Sequence, residues 1–114
     1  MARARNKKSN YARGQWLTYH TRMGTASEMI GSKDYFDWLE GRGNTSFHVE
    51  TYLYDYTLRR EKRRKKFYWY AYKKLNDILY KVYAGQSDKL TKEMLFKTIP
   101  VMLDDKINPV KDKP

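Results

Sequence analysis

Residues 51–72 read TYLYDYTLRREKRRKKFYWYAY, and this stretch decides the fold because it carries two periodicities at once. Tyr52 and Tyr56, then Phe67, Tyr70, Ala71, Leu75, Ile78, Leu79 and Val82, recur at helical spacings of three and four. Tyr52, Tyr54 and Tyr56, and again Tyr68, Tyr70 and Tyr72, alternate at the period of a strand. The segment between them, RREKRRKK, holds no Gly, Asn, Asp or Pro with which to build a tight turn, and its residues are good helix formers. From Asn44 to Ala84 the chain contains neither Gly nor Pro. The spacing therefore predicts one long basic and aromatic helix from about residue 46 to 84, ended by Gly85, in a small, mainly α domain of several helices. At ~1.5 Å per residue that helix would span roughly 57 Å, so a break near the basic run is expected. The alternative is an α+β fold with a Tyr-rich hairpin at about 49–72.

Charge is as uneven as the aromatic pattern. The 114-residue chain has 24 Lys and Arg against 13 Asp and Glu, a net charge of +11. Residues 1–13 contribute +5 through Arg3, Arg5, Lys7, Lys8 and Arg13; residues 57–74 contribute +8, with Glu61 as their one acid; the remainder is −2. Two concentrated basic segments attract polyanions and are the electrostatic footprint of a nucleic-acid binder. On a helix, like charges three and four apart cost roughly 0.2–0.5 kcal/mol per pair, so the run 59–66 calls for an anion, or for acids elsewhere in the fold, to neutralise it.

Outward from this stretch, residues 1–14 read as a flexible basic arm, 15–104 as a single globular domain and 105–114 as a polar tail. Gln15–Met23 fits a helix or a strand. Thr25-Ala26-Ser27-Glu28 has the form of a capping box, which predicts a short helix before Gly31. Ser32 is a candidate N-cap for a helix over 33–40 that turns Tyr35, Phe36, Trp38 and Leu39 inward and stops at Gly41. Ser87 to Asp104 reads as a last helix, capped by Thr91 and kinked or split by Pro100.

The strongest functional constellation joins the basic run to the aromatics beyond it. Arg59, Arg60, Arg63 and Arg64 offer planar forks that fit phosphate bidentately, and Lys62, Lys65 and Lys66 add point charges, with Arg3, Arg5, Lys7, Lys8 and Arg13 assisting. Tyr68, Trp69 and Tyr72 are candidates for stacking on unpaired bases. On a helix the residues at 68, 70 and 72 cannot share a face, so some of these rings belong to the core. Arg42, Gly43 and Asn44, placed before the predicted long helix, form a possible anion site, or else a plain interhelical turn.

Catalysis finds little support. There are no Cys and only two His, His20 and His48, and no paired-carboxylate, nucleophile-elbow or metal-ligand spacing appears. No enzyme, cofactor or metal is expected. No apolar run approaches the ~18 residues of a membrane span, and the basic start lacks the apolar segment of a secretory signal, so a cytoplasmic location is expected.

In its Arg/Lys/Asn/Tyr segment 1–14 and its overall composition, the chain resembles the small basic proteins encoded by phages of low-GC Gram-positive bacteria, and within them some anti-CRISPR proteins. The resemblance implies a non-enzymatic inhibitor that occupies the nucleic-acid channel of a CRISPR nuclease or grips its guide RNA. The residues themselves point to a protein that binds RNA or DNA, or a complex that carries it, without chemistry. A structural accessory of an RNA–protein or capsid assembly is the third reading.

Overall fold

Strand pairing, not a long helix, organises residues 46–85. The computed structural model describes residues 10–41 and 43–109. Its sheet has seven strands: β1 Tyr11–Arg13, β2 Trp16–Thr21, β3 Gly24–Met29, β4 Ser46–Glu50, β5 Tyr56–Arg63, β6 Lys66–Leu75 and β7 Ile78–Gly85. Their order is β3-β2-β1-β4-β5-β6-β7. Every pairing is antiparallel except β1 with β4. Helix α1 (Lys33–Leu39) carries the chain from β3 across to β4, and a π-helical turn (Met94–Thr98) running into α2 (Ile99–Ile107) closes the same face. The mainly α expectation is thus overturned.

The reason lies in which period the burial obeys. Along β5 the buried apolar side chains are Tyr56 and Leu58; along β6, Trp69 and Ala71; along β7, Val82 and Ala84. All are two apart, so one face of each strand is apolar and the next residue points to the other face. The matches at three and four are incidental: Phe67, Ile78 and Leu79 remain exposed. The hairpin that forms spans 56–75 rather than 49–72, since Tyr52 and Tyr54 lie in the loop between β4 and β5. There the Thr51 hydroxyl binds the Tyr54 backbone, and the Tyr54 hydroxyl donates to Asp104 Oδ1 at 2.8 Å.

Two turns make the β5–β6–β7 meander. Asn76-Asp77 joins β6 to β7 with φ of 52° and 66°, the positive values that a two-residue hairpin loop needs and that Asn and Asp tolerate. Arg64-Lys65 joins β5 to β6 with Arg64 at φ 61°, a conformation that disfavours its side chain by roughly 1–2 kcal/mol.

The remaining corrections are local. Thr25–Glu28 pairs with β2 as part of β3 instead of starting a helix. Tyr11–Arg13, inside the expected arm, form the strand that links the two halves of the sheet. The segment 87–104 is no single helix: Ser87–Lys89 is a 3₁₀ turn, and Thr91 caps the next helical turn by accepting from the Met94 N–H at 3.2 Å. Pro100 has no N–H to continue the α-helical ladder, and the turn before it widens, with the Ile99 N–H reaching Met94 O five residues back. Helix α1 does obey its sequence signals, with Ser32 Oγ accepting from the Tyr35 N–H at 3.2 Å.

The core lies between the sheet and these helices. Leu17, Phe47, Val49, Leu58 and Trp69 come from the strands, Tyr35 and Leu39 from α1, and Leu90, Leu95, Ile99 and Leu103 from the C-terminal segment. Two tyrosines stitch the layers together: the Tyr35 hydroxyl donates to Leu90 O and the Tyr56 hydroxyl to Leu95 O, both at 2.6 Å and buried. Burial pushes both phenols well above their usual range, with Tyr35 adding to the shift at Tyr56. Below about pH 10 each is neutral in the folded and unfolded chain alike. Above that, unfolding releases protons that the fold retains, so stability falls by ~1.4 kcal/mol per pH unit for each such hydroxyl. Tyr56→Phe is expected to cost about 1–2 kcal/mol in urea melts at neutral pH. It should also make the alkaline loss of stability shallower by one proton. An alkaline slope identical to that of the unsubstituted protein would contradict this assignment.

Candidate nucleic-acid interface

Since the helices cover one face, the strand period sends every second residue of the meander to the other. Register sets Thr57 opposite Tyr72, Arg59 opposite Tyr70, Glu61 opposite Tyr68 and Arg63 opposite Lys66 on this open face. Tyr70 in turn meets Tyr83, and Tyr72 meets Lys81. The result is an aromatic lattice interleaved with cations. Ring centroids of Tyr70 and Tyr83 are 5.5 Å apart, and those of Tyr68 and Tyr83 5.9 Å. Arg59 lies over the Tyr72 ring at 5.4 Å, Arg63 over Tyr70 at 5.2 Å, and Lys81 over Tyr70 at 4.4 Å. Such contacts hold flexible cations in place while leaving their charge toward solvent.

Glu61 is the acid that organises this group. It accepts from the Tyr72 hydroxyl, from Arg63 Nη2 at 2.5 Å and from Lys81 Nζ at 3.4 Å. The Tyr72 hydrogen bond, then the bond and charge of Lys81, hold its carboxyl below the usual carboxylate range. Tyr72 and Glu61 likewise raise the Lys81 ammonium, so both ends of this network stay charged at neutral pH.

Beyond residue 60 the hairpin outruns its neighbours. β4 pairs with β5 only from Tyr56 to Arg59, and β7 reaches β6 only as far as Trp69. Lys62, Arg63, Arg64, Lys65, Lys66 and Phe67 are exposed on this two-stranded projection. Two local rules are broken at its tip. Arg63 and Lys66 are like charges directly opposed, and Arg64 occupies a turn position that favours Gly or Asn. A sequence selected for stability alone would have neither feature; both concentrate positive charge at an exposed edge.

The basic run is divided by the fold. Arg59, Arg63 and Lys66 belong to the open face, Arg64 and Lys65 to the turn, and Lys62 to the helix side of the projection, 6.0 Å from the Phe67 ring centroid. Arg60 does something else. Its Nη1 donates to Leu39 O at 2.5 Å and its Nη2 to Gly41 O at 2.8 Å, which closes the C-terminal end of α1 with a cation. Its guanidinium also lies over Trp69 at 5.8 Å.

Trp69 is no stacking residue. It is fully buried, and its indole N–H donates to Ser87 Oγ at 2.8 Å. Tyr68, Tyr70 and Tyr72 do stand on the open face, together with Lys81 and Tyr83, which sequence patterning did not single out. The alternation of Tyr68, Tyr70 and Tyr72 is the signal that places Tyr70 there; Lys81 and Tyr83 join only once β7 is registered against β6.

The Gly43-Asn44 turn is not a helix N-terminus, because β4 rather than a helix comes after it. Asn44 Nδ2 instead donates to Trp38 O at 2.8 Å, serving the end of α1 beside Arg60. Arg42, with Arg3, Arg5, Lys7 and Lys8, lies outside the described residues. Arg13 sits on β1 on the open face, its Nε 2.9 Å from Glu50 Oε1. Among the described residues no cluster of His, Asp or Glu is placed to hold a metal ion, and no helix is long and apolar enough to cross a membrane.

No family model, curated protein or solved structure matches the chain.

The two faces should respond differently to loss of charge. Arg60→Met is expected to lower stability by about 2–3 kcal/mol, because two part-buried hydrogen bonds from a cation to carbonyls are lost. Arg63→Met, which removes an exposed, solvent-screened ion pair, should cost much less. Urea denaturation of both variants checks this; equal losses would mean that Arg60 does not hold α1.

Proposed function

We propose that the chain is a non-enzymatic nucleic-acid-binding protein that acts in the cytoplasm of a bacterial or phage-infected cell. Its contact surface is the open face of β5–β6–β7 together with the projecting hairpin tip. The observation that carries this reading is the pairing of Tyr68, Tyr70, Tyr72 and Tyr83 with Arg59, Arg63 and Lys81 on a face that no helix among the described residues covers. Phosphates are met by guanidinium and ammonium groups, and bases by π faces or phenol hydroxyls. The tip extends the positive field beyond the sheet, so it meets a polyanion first and raises the encounter rate.

This division of labour is tested by salt titration with labelled RNA and DNA oligonucleotides. The slope of log affinity against log salt counts neutralised phosphates at ~0.7 each on single strands and ~0.9 on duplex DNA. Replacing Arg63, Arg64, Lys65 and Lys66 together by Gln should reduce the slope by roughly three, or nearer four on a duplex, if each residue meets a phosphate. An unchanged slope in a folded variant, or no binding by the natural sequence at low salt, would contradict the proposal.

A further inference from the structure

The open face continues past the basic meander to a second, chemically different place. On β1, β2 and β3 the residues facing away from the helices include Tyr11 and Arg13, Trp16 and Thr18, and Ser27 and Met29. Tyr11, Arg13, Trp16, Thr18 and Ser27 line a cleft of about 430 Å³. Trp16 is 49% exposed and Met29, directly opposite it, 48%. A tryptophan and a methionine left side by side in water forgo a burial that other residues of this small domain achieve, which marks a place where something docks.

The polar groups around them narrow what that is. Thr18 Oγ1 and Ser27 Oγ are 3.0 Å apart, a hydroxyl pair that offers both donors and acceptors. Arg13 stands opposite Trp16, with its guanidinium 5.5 Å from the Tyr11 ring centroid and its Nε held by Glu50. An aromatic wall, adaptable hydroxyls and a positioned cation match a planar heterocycle attached to a phosphate.

Resting on the nucleic-acid reading above, we infer that this cleft takes one unpaired base of a single-stranded RNA or DNA. Trp16 stacks on the base, Thr18 and Ser27 meet its edge, and Arg13 meets the adjoining phosphate. A base inside a duplex is already stacked and presents no face to such a wall. Position supports the assignment. From β2 to β6 the sheet order passes β1, β4 and β5, four strand spacings or roughly 19 Å, so one strand of several nucleotides crosses from the cleft to Tyr70. Arg13 at the cleft and Arg59, Arg63 and Lys81 on the meander place cations at both ends of that path, which complements a polyanionic strand.

Trp16 also supplies the probe, since Trp38 and Trp69 are buried. The full chain is titrated with a single-stranded homopolymer of about 12 nucleotides, with a duplex of equal length, and with inorganic polyphosphate, while tryptophan emission is monitored. The single strand should quench emission; the duplex and polyphosphate should bind without comparable quenching. Trp16→Leu should abolish the quenching and weaken single-strand binding roughly 5- to 150-fold, the equivalent of one lost base stack, with the salt slope unchanged. Trp16→Phe should retain most of the affinity. Wild-type single-strand affinity in a folded Trp16→Leu variant, or equal quenching by duplex or polyphosphate, would overturn the cleft assignment and leave the nucleic-acid reading standing. Failure of every polyanion to bind the natural sequence would overturn both.

Discussion

Trp69 fixes the register on which the rest of the molecule depends. Its indole is fully buried, donates to Ser87 Oγ, and packs edge-on against Phe47 with ring centroids 5.5 Å apart. Because side chains alternate along a strand, burying Trp69 between the sheet and the C-terminal segment sends Tyr68 and Tyr70 to the opposite face. A slip by one residue would bury the tyrosines and expose the tryptophan. The core contact and the presentation of the open face are thus one structural decision. The same decision places Arg60 on the helix side, where its fork closes α1, and its neighbours Arg59 and Glu61 on the open side.

The charge network results from that partition. A run of like charges costs free energy in any regular structure, and a strand relieves part of it by sending alternate residues apart. Arg60 is absorbed by the carbonyls at the end of α1 and Arg63 by Glu61, while Lys81 arrives from β7 to share the same carboxylate. The turn keeps its charge without such compensation. Arg64 at positive φ is a local cost, and Lys66 stands opposite Arg63, whose charge Glu61 offsets in part. In the proposed nucleic-acid reading, these features and the half-exposed Trp16 are where a polyanionic partner would add stabilisation.

Legibility from sequence is uneven for physical reasons. Helix α1 can be read because its signals are local: a serine cap, an apolar face and a glycine stop within ten residues. The long helix is a misreading because Lys, Arg and Glu favour helices in isolation, and tertiary pairing overrides that preference. The missing turn signal is decisive, since Arg64-Lys65 makes a hairpin without the residues that normally announce one. Asn76-Asp77 is an ordinary turn signal, but one that Gly and Pro alone do not reveal. Arg60 and Trp69 cannot be told from their neighbours as function candidates without knowing the face each occupies. Tyr83, Lys81 and Trp16 join the site only through strand order, and nothing local in the sequence encodes that order.

The most direct test of the open-face interface is to map binding onto the two faces of the sheet. Backbone and side-chain NMR signals would be monitored as a single-stranded oligonucleotide is added to the full chain. An open-face interface requires the large shifts to fall on Arg59, Arg63, Tyr70, Lys81, Tyr83 and Trp16, with Tyr35, Leu39, Leu95 and Leu103 beneath the helices left in place. Shifts concentrated on the helix-covered side, or spread evenly over the molecule, would contradict it.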